Sequence, residues 1–299
     1  MACDVRTTNI VLEAATVSWG REEVSCITPV TGLTGGEYFL ISSSTTEYYV
    51  WTDVNNAGVD PAPAGKVAIE VDVPTSYTLT DWFTDFNTKI ELTGEFFATV
   101  STDLLSVSVE TILVGATLSV LVDVDSTFTL ETDVAGIGGE LGKTKEGIEV
   151  SFEATVFDVN ANQTGTLLLD QIIQGTSASA SMALLEVTKE RLALILGQGF
   201  GDTVTPGGGT EVVGFGTSKN FKSSFDSAGK LILHPVRLPS TDRSEDAVFW
   251  KTVPLPESIN YDGTDTKALE VTFNSLVDDK KDPAISIYAV GDWQQDLRA

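Results

Sequence analysis

The residues of this chain whose types could do chemistry are few, and their spacing does not assemble them. His234 is the single histidine in 299 residues, so any Ser–His or Cys–His nucleophile would have to be built on it. It sits in Leu231-Ile232-Leu233-His234-Pro235, an apolar run ending at proline, which reads as a strand carrying a structural histidine. A general base would also need an orienting partner that the surrounding sequence does not reveal. Pro206-Gly207-Gly208-Gly209 has the glycine density of a phosphate loop, but no Gly-Lys-Ser/Thr follows and no dinucleotide fingerprint opens a βαβ unit. It reads as a loop or hairpin tip. Asp158-Val159-Asn160-Ala161-Asn162 begins like a calcium loop, yet Gln163 and Leu169 stand where that loop needs glycine and its closing glutamate. A turn between strands is expected there.

Cys3 and Cys26 lack metal-ligand spacing and are too few for a secreted disulfide framework. They read as reduced thiols, the alternative being a staple that ties the N-terminal arm to its own or a neighbouring subunit. Carboxylates are abundant: 43 Asp and Glu face 18 Lys and Arg, for a net charge of −25. Chance pairs are expected at this acidity, and a solvated acidic face explains them better than glycosidase chemistry. The expectation is therefore no enzymatic activity, no cofactor and no metal. The charge also argues against a protein that grips nucleic acid, because phosphates would be repelled. A surface that DNA slides past without sticking is compatible with it. No basic segment precedes an apolar run at the N-terminus, and no run approaches the length needed to cross a bilayer. An aqueous protein without membrane contact is expected.

The elements that must position these residues are mostly strands. In Ser177-Ala178-Ser179-Ala180-Ser181-Met182, hydroxyls and apolar groups alternate with period two, so one face can meet water while the other packs inward. The period then becomes 3.6: Thr188 is a candidate N-cap, Lys189-Glu190-Arg191 begin a helix, Leu192, Ile195 and Leu196 share its buried face, and Gly197 suits a left-handed stop. Ile148 to Phe157 sets Ile148, Val150, Phe152 and Val156 on one face and Glu149, Ser151, Glu153 and Thr155 on the other. Further strands are expected at 9–13, 16–19, 230–238, 267–276 and 285–292, with Gly20 as a turn before a strand through Ile27.

Between 33 and 132 the composition changes. Aromatics cluster at Tyr38, Phe39, Tyr48, Tyr49 and Trp51, and this stretch holds 15 acidic and 2 basic residues. It reads as strands at 37–42, 47–52 and 66–73 around a turn-rich segment. Leu79, Trp82, Phe83, Phe86 and Ile90 then recur at helical spacing, with Thr78 or Thr80 as cap and Gly94 as end. More strands follow through Leu130, with Val107, Val109 and Leu113 to Leu118 as core candidates. The domain reading is a discontinuous β domain, 1–32 with 133–299, interrupted by a small α+β domain at 33–132.

Several segments, taken in order, resemble the tail tube proteins of long-tailed bacteriophages. They are Gly138-Gly139-Glu140-Leu141-Gly142-Lys143-Thr144-Lys145-Glu146-Gly147 before a strand, the serine strand with Glu186-Val187-Thr188-Lys189-Glu190, Ala247-Val248-Phe249-Trp250-Lys251-Thr252-Val253-Pro254, and Leu269-Glu270-Val271-Thr272-Phe273. The run Gly58-Val59-Asp60-Pro61-Ala62-Pro63-Ala64-Gly65 is similar to small modules inserted in phage tail proteins. The resemblance covers about two thirds of the chain. It implies a mainly β, tail-tube-like sandwich or barrel with one short helix. Its subunits would form hexameric rings stacked into a virion tail tube, with tail-tip initiator, tape measure and terminator proteins as partners and DNA in transient passage. Glu149, Glu153, Ser177, Ser179, Ser181 and Glu270 are then the candidate lumen-facing residues. The rival reading is a free-standing surface or glycan-binding β module that uses the aromatic cluster.

Overall fold

A computed structural model describes residues 4–12, 15–30, 32–102, 104–115, 117–145, 147–160, 168–185, 187–198, 201–204, 212–215, 220, 223–239, 242–260 and 268–293. The fold is mainly β, with several sheets and two α-helices among those residues. The chain forms two compact units, Met1–Trp19 with Glu140–Ala299, and Gly20–Gly139. In chain order the strands are β1 (Asp4–Leu12), β2 (Ala15–Arg21), β3 (Val24–Pro29), β4 (Tyr38–Ser42), β5 (Glu47–Val54), β6 (Val67–Val73), β7 (Phe96–Val100), β8 (Val107–Thr111), β9 (Val122–Asp123) and β10 (Phe128–Val134). They continue with β11 (Ile137–Lys143), β12 (Ile148–Asn160), β13 (Leu168–Leu184), β14 (Gly201–Val204), β15 (Val212–Phe215), β16 (Gly229–Pro235), β17 (Ala247–Asn260), β18 (Ala268–Leu276) and β19 (Tyr288–Val290). The helices are α1 (Leu79–Glu91) and α2 (Lys189–Gln198).

The first unit is organised by a long sheet in the order β1-β12-β13-β18-β17-β16-β2-β11, with β19 added to β17. Alternation along each strand sends one set of side chains into a common core: Ile148 and Val150, Ala178, Ala180 and Met182, Leu269, Val271 and Phe273, Leu231 and Leu233, and Trp19 are all buried there. Strand β17 serves both ends of this sheet. Gly229 to Leu233 of β16 register with residues from Thr252 back to Ala247, whereas β18 registers with β17 from Lys251 to Asn260. Pro254 and Pro256 fall beyond the stretch paired to β16, where the missing N–H leaves no gap in a central ladder. At the change of partner, Trp19 Nε1 donates to Thr252 Oγ1 at 2.9 Å and that hydroxyl donates onward to the Gly229 carbonyl at 3.0 Å. Both Trp19 and Thr252 are fully buried, so the hydroxyl satisfies an indole N–H that has no water to turn to. Helix α2 starts as its sequence dictates, with the Arg191 N–H donating to Thr188 Oγ1 at 3.2 Å, and its Ile195 enters the same core.

The second unit has two four-stranded sheets, β10-β3-β8-β7 and β6-β5-β4-β9. Helix α1 packs on β6 and β7, and its Trp82, Phe83, Phe86 and Ile90 are buried. A capping box begins the helix: Asp81 N–H donates to Thr78 Oγ1, and the Asp81 carboxylate accepts from the Thr78 N–H. Trp82 lies almost parallel to Phe86, with ring centroids 4.9 Å apart, and its Nε1 donates to Thr52 Oγ1 at 3.0 Å.

The structure moves several sequence-drawn boundaries. Strand β3 pairs with β8 and β10 and contributes Ile27 to the second core, so 20–32 and 133–139 belong to the unit drawn at 33–132. Gly20 is a strand residue and not a turn. Any side chain there would run into the backbone, because an added Cβ would lie 2.0 Å from the Ile137 oxygen. Leu118, expected in the core, is 56% exposed, whereas Val107, Val109, Ile112 and Val114 are buried. Cys26 is a free thiol, and Cys3 lies outside the described residues. Asp158 to Asn160 finish β12 instead of forming a turn, while 161–167 and the 206–209 glycine run lie outside the described residues. Replacing Thr252 with valine should lower unfolding stability by about 1–3 kcal/mol through the orphaned Trp19 N–H. Urea denaturation followed by tryptophan fluorescence would read this, and an unchanged midpoint would contradict the assigned role.

Candidate functional site

Register brings all six candidate residues to one face of one sheet. Glu149 is opposite Ser181, Ser151 opposite Ser179, and Glu153 opposite Ser177 across β12 and β13. On the other side of β13, Ser181 meets Thr272, Ser179 meets Asn274, and Ala183 meets Glu270 of β18. Glu149, Glu153, Ser177 and Glu270 are exposed, and Ser179 and Ser181 are half-buried. The opposite face of the same strands is the core, so the division between hydroxyl and methyl along β13 is a division between solvent and interior.

Tertiary structure adds residues that alternation in a single strand does not connect. Ser181 Oγ and Thr272 Oγ1 are 2.8 Å apart, and Thr272 Oγ1 donates to Glu257 Oε1 at 2.5 Å. Ser258 Oγ donates to Glu270 Oε2 at 2.6 Å. Glu257 and Ser258 thus join the face from β17, next to Thr272 and Glu270. Thr272 was legible from the Leu269 to Phe273 alternation; Glu257 was not, because the register between β17 and β18 shifts between Pro256 and Ser258. Where the ladder between β13 and β18 stops at Ser179, Ser275 Oγ takes its place, accepting from the Ala178 N–H at 3.1 Å and donating to the Ala178 carbonyl. A groove of about 330 Å³ opens there, lined by Ser151, Glu153, Ser177, Ser179, Asn274 and Ser275.

The chemistry of this face is that of hydroxyls and carboxylates on a rigid support. Glu149 and Glu153 are four residues apart on one strand, about 13 Å at the usual strand rise, beyond the ~6.5–9.5 Å at which paired carboxyl groups cleave inverting glycosidic bonds. What they supply is a negative potential spread over a wet surface.

His234 has a partner after all. Its Nδ1 lies 2.6 Å from Asp246 Oδ1, and the fully buried Asp246 also accepts from Trp293 Nε1 at 2.7 Å and Arg243 Nη1 at 3.3 Å. The Gly291 N–H donates to the Asp246 carbonyl at 2.9 Å. The His234 Nε2 atom is buried with no hydrogen-bond partner among the described residues, so within them the imidazole has an orienting carboxylate but no hydroxyl to activate. This is a tie between the β16–β17 connection and the segment after β19. Twelve residues separate His234 from Asp246, and no local motif marks the pair.

In the second unit, Asp53, Glu70 and Asp72 each bring an oxygen within 4.8 Å of the others, the one acidic group among the described residues with spacing suited to a cation. Part of its charge is already engaged: Gly58 N–H donates to Asp53 Oδ1 at 2.8 Å, and Lys89 Nζ is 3.6 Å from Asp72. Burial, and then the neighbouring Asp72 and Asp53, hold the Glu70 carboxyl above its ordinary value. Tyr49 donates to Asp60 Oδ1 at 2.8 Å, and burial followed by this carboxylate pushes its phenol up to about 12. Phe39, Tyr48, Tyr49 and Trp51 are buried, so most of the aromatic cluster serves the core and does not offer an open stacking surface.

A carboxyl whose pKa is raised on folding binds a proton that the unfolded chain has already released, so its contribution to stability falls as pH rises through the window above about 4.5. Glu70→Gln should therefore stabilise the second unit at pH 7 and bring no gain below pH ~4. Thermal melts at both pH values would check this, and equal gains at both would contradict it. No protein-family model matches the chain, and no characterised protein matches it significantly.

Proposed function

We propose that this protein is a structural subunit of a phage tail tube, in which hexameric rings stack into a conduit for the genome. The observation that carries the reading is the wet face of β12, β13 and β18. It presents Glu149, Glu153 and Glu270 with a hydroxyl lattice between them and a continuous apolar core directly behind. Such a surface repels phosphate, and β12, β13 and β18 themselves carry no lysine or arginine to hold it, which suits passage without adhesion. The sequence segments that resemble tail tube proteins include parts of β13 and β18, two of the three strands that form this face.

In this reading the wet sheets of neighbouring subunits line the lumen, and rings close head to tail through a heterologous contact. The second unit, with 18 acidic and 3 basic residues between 20 and 139, decorates the outer surface as a solubilising coat. An outward module would obstruct a contractile sheath, so the setting is a long non-contractile tail. Tail-tip, tape-measure and terminator proteins are the assembly partners.

Electron microscopy of the concentrated protein, with its solution mass, tests this directly. Rings or hollow tubes are expected, and a dispersed monomer at every concentration, including in the presence of a tail-tip initiator, would favour a free-standing binding module. Exchanging Glu149 and Glu153 for lysine should leave tails assembled but slow genome ejection at least about tenfold, since each reversal replaces repulsion with a phosphate contact. Ejection at the normal rate would remove the acidic wall from the mechanism.

A further inference from the structure

Negative charge alone does not make a hydroxyl-rich wall inert, because a serine or threonine hydroxyl donates to a phosphate oxygen as it does to water. On the wet face of the first unit, side chains of β17 and β18 decide where several of those hydrogens go. The register between the two strands shifts between Pro256 and Ser258, so Glu257 is the extra residue of a bulge. Pro256 and Ile259, on either side, are opposite Val271 and Leu269, which are buried in the core. The bulge thus leaves two successive residues, Glu257 and Ser258, exposed beside Thr272 and Glu270.

The hydrogen bonds among these residues have a fixed direction. Thr272 Oγ1 donates to Glu257 Oε1 at 2.5 Å, and Ser258 Oγ donates to Glu270 Oε2 at 2.6 Å. A carboxylate only accepts, and a hydroxyl has one hydrogen to give. With its hydrogen on Glu257, Thr272 accepts from Ser181, whose Oγ is 2.8 Å away. The relay therefore runs one way, from Ser181 to Thr272 to Glu257. Bonds to an ionised acceptor are the strong ones, so the hydrogens of Ser181, Thr272 and Ser258 are held within the face and lone pairs are left towards water. Ser151, Ser177 and Ser179, around the pairing of β12 and β13, have no such carboxylate partner among the described residues. The commitment is confined to the β17–β18 side.

We infer that Glu257 and Glu270 act on passing DNA in two ways: their charge repels phosphate, and they bind the hydroxyl hydrogens of Thr272, Ser181 and Ser258 that phosphate would otherwise accept. The inference rests on the tube reading proposed above. It adds Glu257 to the wall and makes Thr272 the positioning residue, because its hydroxyl joins β13 to the bulge of β17. Every subunit of a tube repeats the relay, so friction from a released hydrogen would recur along the whole passage.

The test uses the full-length protein assembled into virion tails, with the rate of genome ejection as its readout, and every variant keeps the charge of the wall. Thr272→Val removes the acceptor of the Ser181 hydrogen and should slow ejection about two- to tenfold, the worth of one hydrogen bond. Adding Ser181→Ala to Thr272→Val should restore the parental rate, because no hydrogen is then released. Thr272→Ser keeps the relay and should eject normally. Thr272→Ala repeats the release with a smaller side chain should valine hinder assembly. Parental ejection by the Thr272→Val or Thr272→Ala tails, or equal slowing with and without the Ser181 hydroxyl, would overturn the inference and leave the tube reading standing. Failure of the parent protein to form rings or tubes would remove both.

Discussion

Strand β13 works under one constraint from which the rest of the first unit follows: it lies between β12 and β18 and must present a different solvent to each face. Ala178, Ala180 and Met182 are buried, and Ser177, Ser179 and Ser181 are not. A single-residue slip against either neighbour would place hydroxyls in the core and methyls in water, so both registers are held by the same hydrophobic free energy. Small residues on the wet side keep that surface low and smooth, and the glutamates rise from the flanking strands. The core pattern and the candidate site are the two sides of one alternation.

The sheet can extend past β18 because β17 changes partners. Its first half completes the ladder with β16 and its second half the ladder with β18, and the irregularity at the crossing is satisfied by Thr252 under the Trp19 indole. Prolines at 254 and 256 are tolerated because they come after that crossing. They also leave that edge short of donors, which discourages indiscriminate strand addition. The second unit treats its edges in a related way: Asp85 of α1 accepts from the Asp72 N–H of β6 at 2.8 Å, and Glu91 accepts from the Ala98 N–H of β7 at 3.4 Å. Acidic side chains there act as local caps as well as surface charge.

The polar residues held in the interior are anchors. Asp246 gathers His234, Arg243 and Trp293, and a carboxylate with this many donors is retained in a dry site only because each donor offsets part of its desolvation. Lys230 is buried with its ammonium 5.5 Å from the Trp250 ring centre and 5.2 Å from that of Trp293. The segment that carries Tyr288 and Trp293 is thereby fastened to β16 and β17, where Tyr288 also packs on Phe249 at a ring-centroid distance of 4.8 Å.

Much of this was legible in the sequence, and the limit of legibility has a physical cause. The period of two in Ile148 to Phe157 and in Ser177 to Met182, the helical spacing from Leu79 to Ile90, and the caps at Thr78 and Thr188 are local consequences of backbone geometry, so residue order alone determined them. Charge and the lone histidine were equally plain. Pairing between distant strands was not, because register is decided by how the whole core packs: Ser181 meets Thr272 across 91 positions, and Glu257 reaches the same face only through a register shift. The boundary at Gly20, the Asp246 partner of His234 and the burial of the aromatic cluster likewise belong to tertiary structure. Which side chains share a strand face was written in the sequence; which faces meet, and which aromatics are left to solvent, was decided by burying two apolar cores.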